Sequence, residues 1–123
     1  MARKILIVDD QPLNVAVLEE LLEDDYTLET ANSGQEALSK IASFAPDLIL
    51  LDVMMPGMSG LEVCRAIRSD ARFAGAVVVL LSAKAMKEDI ETGLAAGAND
   101  YVTKPFGHAE ILAKVEECIE SLA

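Results

Sequence analysis

The sequence predicts an α/β fold: a doubly wound, five-stranded parallel sheet in the order 2-1-3-4-5, with helices on both faces. Three observations carry this expectation. Runs such as Leu48-Ile49-Leu50-Leu51 are continuously apolar, as strands buried on both faces must be. Five such runs alternate with five segments of helical period, the pattern of parallel strands joined by crossover helices. The chain has 123 residues, 52% of them hydrophobic, so residues 1–123 are expected to fill one core, with no room for a second domain.

Each element has its own signal. The first strand reads Ile5-Leu6-Ile7-Val8, and Leu18, Leu21 and Leu22 mark the apolar face of the helix after it. The second strand runs from Tyr26 to Ala31. Ser33 with Glu36 has the spacing of a capping box and opens a helix with Ala37, Leu38 and Ile41 on its inner face. Leu48 to Leu51 form the third strand, and Ser59 with Glu62 repeat the capping spacing ahead of the third helix. The fourth strand spans Val77 to Leu81, and Gly97 closes the fourth helix as a left-handed cap. A short fifth strand, Asp100-Tyr101-Val102, precedes a last helix patterned on Ile111, Val115, Ile119 and Leu122.

Right-handed crossovers make the first and third strands neighbours across the point where the strand order reverses. They also place the first and fifth helices on one face of the sheet and the other three on the opposite face. Cys64 and Cys118 are thereby separated, so they are expected to remain reduced thiols, since a disulfide needs α-carbons within about 7 Å.

Charge excludes several function classes. The formal net charge is −11, from 21 acidic and 10 basic residues, and the basic ones are scattered. Direct contact with nucleic acid or with an anionic membrane surface is not expected. The opening MARKILIVDD is interrupted by two aspartates after four apolar residues, which fits neither a signal peptide nor a transmembrane helix, so a cytoplasmic location is expected.

The candidate site lies at the carboxyl ends of the strands, where open α/β sheets bind ligands. Asp9-Asp10 come after the first strand, Asp52 after the third, Ser82 after the fourth and Lys104 after the fifth. Singly, each has an ordinary reading: an acidic doublet before Pro12 caps a helix, a serine makes a turn, a lysine before proline is solvated. Four of them at corresponding strand ends point to chemistry. Three carboxylates in contact repel by about 4 kcal/mol per close pair at an effective dielectric near 20, and Lys104 offsets only one of the charges. The remaining −2 invites a divalent cation. With only hard oxygen ligands nearby, that cation is expected to be Mg²⁺, with Mn²⁺ as a substitute. Cation, lysine and hydroxyl together make a clamp for a phosphoryl group, with Asp52 as the nucleophile.

The motifs ILIVDD, LILLDVMMPGMSG, VVVLLSA and DYVTKPF, in this order and at these intervals, resemble the receiver domain of two-component response regulators over essentially the whole chain. The resemblance implies that Asp52 accepts a phosphoryl group from a phosphohistidine on a sensor histidine kinase or a histidine phosphotransfer protein. It implies that Asp10, Asp52 and the backbone carbonyl of Met54 ligate Mg²⁺, with Asp9 acting through metal-bound water. Ser82 and Lys104 would contact the phosphoryl oxygens, and the Lys104–Pro105 bond would be cis. Tyr101 matches the family's switch aromatic, which moves with the hydroxyl at Ser82 and alters the face made by the fourth helix, fifth strand and fifth helix. That face would pass the signal to a downstream protein or output domain.

Two flanking residues give a more specific expectation. Met54, two after the nucleophile, and Lys84, two after Ser82, border the approach of a hydrolytic water. Methionine is only a weak acceptor and lysine can cover phosphoryl oxygens, so slow autodephosphorylation is expected.

Competing functions fare less well. A flavodoxin-like flavin protein needs a phosphate loop after the first strand, where Asp9-Asp10 would repel a phosphate. An aspartyl phosphatase needs a second acid at position 54, which is methionine. A receiver-like module without phosphorylation would not need Asp10, Asp52, Ser82 and Lys104 together.

Overall fold

The computed structural model describes residues 2–122. Its elements are β1 (Lys4–Val8), α1 (Pro12–Leu22), β2 (Thr27–Ala31), α2 (Gly34–Phe44), β3 (Leu48–Asp52), α3 (Gly60–Arg68), a 3₁₀ turn (Ala71–Phe73), β4 (Val77–Ser82), α4 (Lys87–Ala95), β5 (Asp100–Thr103) and α5 (His108–Glu120). The strands form one sheet in the order β2-β1-β3-β4-β5, and the pairings are parallel. This is the predicted topology.

Side chains alternate across the sheet with the period of two that a strand imposes. Leu6, Val8, Ile49, Leu51, Val78 and Leu80 pack under α2 and α3, with Cys64 among them. Ile5, Ile7, Leu48, Leu50, Val79 and Leu81 pack under α1 and α5, with Cys118 among them. The cysteines lie in separate cores and are unpaired, as expected. Residues Leu48 to Leu51 are at most 1% exposed, and burial on this scale contributes about 1.5–3 kcal/mol per side chain, so β3 is a rigid mount for Asp52 at its carboxyl end.

Several boundaries differ from the sequence reading. Tyr26 is the closing residue after α1, its N–H donating to the Leu22 carbonyl, so β2 starts at Thr27. Asp52 and Ser82 are the last residues of their strands, and β5 runs on to Thr103, because the ladder continues through Val53 N–H to Leu81 and Lys104 N–H to Ser82. The Ser59–Glu62 capping box is complete. At Ser33 only half of one forms: Ser33 accepts from the Glu36 N–H, while the Glu36 carboxylate turns to the N–H of Asn32. Gly97 holds a left-handed φ of 108° after α4, as expected.

The approach of α3 to the sheet needs a glycine. A Cβ on Gly60 would lie 2.2 Å from the Asp52 carbonyl oxygen and 2.8 Å from Val53 Cα, while the Gly60 N–H donates to the Val53 carbonyl. The helix therefore rests directly on the backbone that carries Asp52. Gly60→Ala is expected to lower stability by about 1–3 kcal/mol, the usual cost of forced overpacking, in a denaturant titration. A variant as stable as the parent would show that this approach is not tight.

Candidate functional site

Strand register assembles the site. Val8 pairs with Leu51, Asp52 with Leu81, and Ser82 with Thr103, so Asp9, Asp52, Ser82 and Lys104 emerge on adjacent strands at one edge of the sheet. Asp9, Asp52 and Ser82 are buried, and they are the buried polar residues among those described. The Lys104 ammonium lies 3.2 Å from Asp52 Oδ1 and 3.5 Å from Asp9 Oδ2. The Lys104–Pro105 peptide is cis, as the resemblance implied.

The two adjacent aspartates are held differently. Both oxygens of Asp9 are engaged: Oδ1 accepts from the Gln11 N–H at 2.9 Å, and Oδ2 from the Asn14 amide at 3.2 Å and from Lys104. Asp9 thus fastens the turn into α1, which starts with Gln11 as an N-cap lacking a side-chain hydrogen bond and with Pro12 in its first turn. Asp10 caps nothing there. Its Oδ1 is buried and has no hydrogen-bond partner, an arrangement that costs free energy unless a cation or water satisfies it.

One carboxylate oxygen from each of Asp9, Asp10 and Asp52 falls within a common 4.8 Å, so the cluster could hold a metal. The donor set is oxygen only, which suits a hard divalent cation. Charge repulsion and burial both act on Asp52: desolvation, then the Asp9 charge, raise its carboxyl above the ordinary carboxylate range, against Lys104 and the Met54 backbone N–H, which lower it.

Ser82 is fully buried, and its Oγ accepts from the Lys84 N–H at 3.1 Å. The Lys84 carbonyl in turn accepts from the Tyr101 hydroxyl at 2.8 Å. Tyr101 is half-buried, and its hydroxyl is bound to the loop after β4. Met54 and Lys84 are both exposed, at the rim.

With this geometry in view, comparisons with known proteins are decisive. The family model "Response regulator receiver domain" matches residues 5–116. The chain belongs to the response regulator receiver family. It is a receiver domain of two-component signalling. It is 40% identical over 116 residues to the DNA-binding response regulator MtrA of Mycolicibacterium smegmatis, matching 94% of this chain and 50% of that protein. The receiver domain therefore spans half the length of this curated relative. Among solved structures, the Vibrio cholerae chemotaxis protein CheY4 superposes with a TM-score of 0.91 at 31% identity, covering 96% of this chain and 99% of that one. The BeF3-activated receiver domain of DrrB, a Thermotoga maritima response regulator, gives a TM-score of 0.88 at 35% identity, covering 98% and 99%. No helix among the described residues is long and apolar enough to cross a membrane.

The sequence reading passed over Asn14. Its signal was there, an amide in the first turn of the helix after an acidic strand end at the switch point, but nothing in the sequence says which carboxylate it reaches.

The raised Asp52 pKa has a consequence for stability. A raised folded-state pKa means that the ionised carboxylate costs folding free energy, a cost absent below the unfolded value near 3.8 and imposed as pH rises through the folded value. Asp52→Asn is therefore expected to melt higher than the parent at pH 7 in the presence of a chelator. Each 1 kcal/mol moves the midpoint of a domain this size by roughly 3–6 °C. The advantage should shrink as pH falls toward 4. Melting curves across pH check this; an advantage independent of pH would assign the gain to packing.

Proposed function

We propose that this receiver domain is a phosphorylatable switch, with Asp52 accepting a phosphoryl group from a phosphohistidine of a sensor histidine kinase or a histidine phosphotransfer protein. The observation that carries the reading is the buried Asp52 carboxylate, paired with Lys104 and set beside an Asp10 oxygen that lacks any partner. A structural acidic cluster would satisfy that oxygen.

The residues present fit Mg²⁺, with Mn²⁺ as a substitute. Asp10, Asp52 and the Met54 backbone carbonyl would ligate it directly. Asp9 would act through a metal-bound water, since its own oxygens already have protein partners. When bound, the cation would supply positive charge that offsets the carboxylates and the oxygens of the transferring group. An Asp52 carboxylate oxygen attacks phosphorus, and the P–N bond to the donor imidazole breaks as the P–O bond forms. Lys104, already 3.2 Å from Asp52, pairs with the incoming phosphoryl oxygens, and the Ser82 hydroxyl donates to one of them. Strand β3, fixed by packing on both faces, keeps the nucleophile in place without reorganisation.

Recruitment of Ser82 alters the loop that its Oγ shares with the Lys84 N–H, and Lys84 carries the hydroxyl of Tyr101. The face made by α4, β5 and α5 would then change its population of states, and a downstream protein or output domain that prefers one state reads the change. With a net charge of −11, the domain itself is not a direct nucleic-acid binder.

A small phosphodonor with Mg²⁺ is expected to add one phosphoryl mass to the protein, on Asp52, in an intact-mass measurement. No added mass, or addition that survives Asp52→Ala, would defeat the reading. Asp10→Ala should weaken Mg²⁺ binding by tenfold or more in calorimetry, about 1.4 kcal/mol, while the fold persists. Unchanged affinity would mean that the metal lies elsewhere.

Hydrolysis should be slow. Met54 and Lys84 are both exposed, and methionine is only a weak acceptor while a lysine can pair with phosphoryl oxygens and cover the approach of water. Met54→Asn combined with Lys84→Glu is expected to speed loss of the phosphoryl group in excess Mg²⁺ after removal of the donor. Decay no faster than in the parent would show that these two side chains do not control the water.

A further inference from the structure

Helix α4 carries a glycine in its last turn, Gly93, where alanine would be the better helix former. It is buried and has no left-handed φ, and the closing bonds that its carbonyl accepts from the Ala96 and Ala98 N–H groups use backbone atoms that any residue has, so backbone conformation does not call for glycine. What occupies the space of its missing side chain is Tyr101. A Cβ at position 93 would lie 2.9 Å from Tyr101 Cδ2, 3.1 Å from Cε2 and 2.9 Å from Leu80 Cδ1.

The helix cannot easily retreat from that contact, because its carboxyl end is tied down just beyond Gly93. The Cys64 thiol donates to the Ala96 carbonyl at 3.5 Å, and the Arg68 Nε donates to the Gly97 carbonyl at 2.7 Å. Asn99 continues the tie: its N–H donates to the Val78 carbonyl, and its Oδ1 accepts from both the Val78 N–H and the Arg68 guanidinium. Leu80 is a fully buried strand residue and equally fixed. Of the groups around position 93, the Tyr101 ring is the one with a free exit, being half-exposed at the edge of the sheet.

We infer that Gly93 is the seat that admits the Tyr101 ring against α4, so that the size of residue 93 sets the balance between an inward ring, bonded to the Lys84 carbonyl, and an outward one. Residue 93 is thus a positioning residue acting through Tyr101. Its regulatory meaning rests on the proposed switch, but its geometry does not. Filling the seat pushes the ring outward and breaks the hydroxyl bond to Lys84, leaving the loop between Ser82 and α4 without its outer tie.

A double-mutant cycle tests this on the intact chain without any phosphoryl donor. The Leu80 contact is common to both backgrounds, so the cycle reads the difference: Gly93→Ala should shift the folding equilibrium constant by roughly two-fold or more in favour of folding in a Tyr101→Ala background relative to the parent. In the parent background the same change should give no gain or a loss. A second measurement reads the ring directly. The chain has no tryptophan and two tyrosines, so Tyr26→Phe leaves Tyr101 as the lone emitter, and Gly93→Ala should increase quenching of its fluorescence by acrylamide. Equal stability changes in both backgrounds, or unchanged quenching, would overturn the inference. Failure of the parent to accept a phosphoryl group would overturn the Asp52 reading instead, and the cycle reports on the seat either way.

Discussion

Mutual repulsion among Asp9, Asp10 and Asp52 is the constraint around which the rest of this structure is arranged. Carboxylate oxygens gathered within 4.8 Å of one another push apart by several kcal/mol per pair, and a flexible loop would relax to relieve that strain. Here the loops have little freedom. Asp52 ends a strand whose preceding side chains are fully packed, and Asp9 is fastened by Gln11, Asn14 and Lys104. The apolar sheet supplies the free energy that holds the charges together, and the lysine supplies only part of the compensation. The unsatisfied oxygen of Asp10 is what remains, in a cluster that could hold a metal.

A second consequence is the division of labour between the two neighbouring acids. In sequence they are a doublet, and in space they are opposites. The Asp9 carboxylate is consumed by local structure, holding the entry to α1 in place of a conventional side-chain cap. Asp10 contributes no structure that the protein uses. The residue that stabilises the turn is therefore not the one most available to a metal.

Anchoring is also uneven along α4. Its carboxyl end is bound through Ala96, Gly97 and Asn99 to α3 and β4, whereas the loop ahead of it is held to the sheet by the Tyr101 hydroxyl at Lys84. The helix is thus held firmly at one end and by few contacts at the other. The side chains that would report on Asp52 are thus linked by short polar contacts through the backbone of a single residue, Lys84.

Continuous apolar runs and period-2 and period-3.6 patterning were enough to determine the sheet, its strand order and the separation of Cys64 from Cys118, because burying a strand on both faces leaves few alternatives. The strand-end aspartates, Ser82 and Lys104 were legible for the same reason: parallel topology brings all carboxyl ends to one edge, whatever the details. Boundaries were less legible, since whether Asp52 and Ser82 belong to strands depends on hydrogen bonds from neighbouring strands rather than on their own propensity. Only the tertiary structure decided that Asp9 is engaged and Asp10 is not, that Glu36 turns to Asn32, and that the Tyr101 hydroxyl bonds a carbonyl. It also decided which glycines are required by contact, Gly60 against Asp52 and Gly93 against Tyr101. A pattern along the chain records what must be buried; which atom meets which is set by packing distances between elements, and no local signal encodes those.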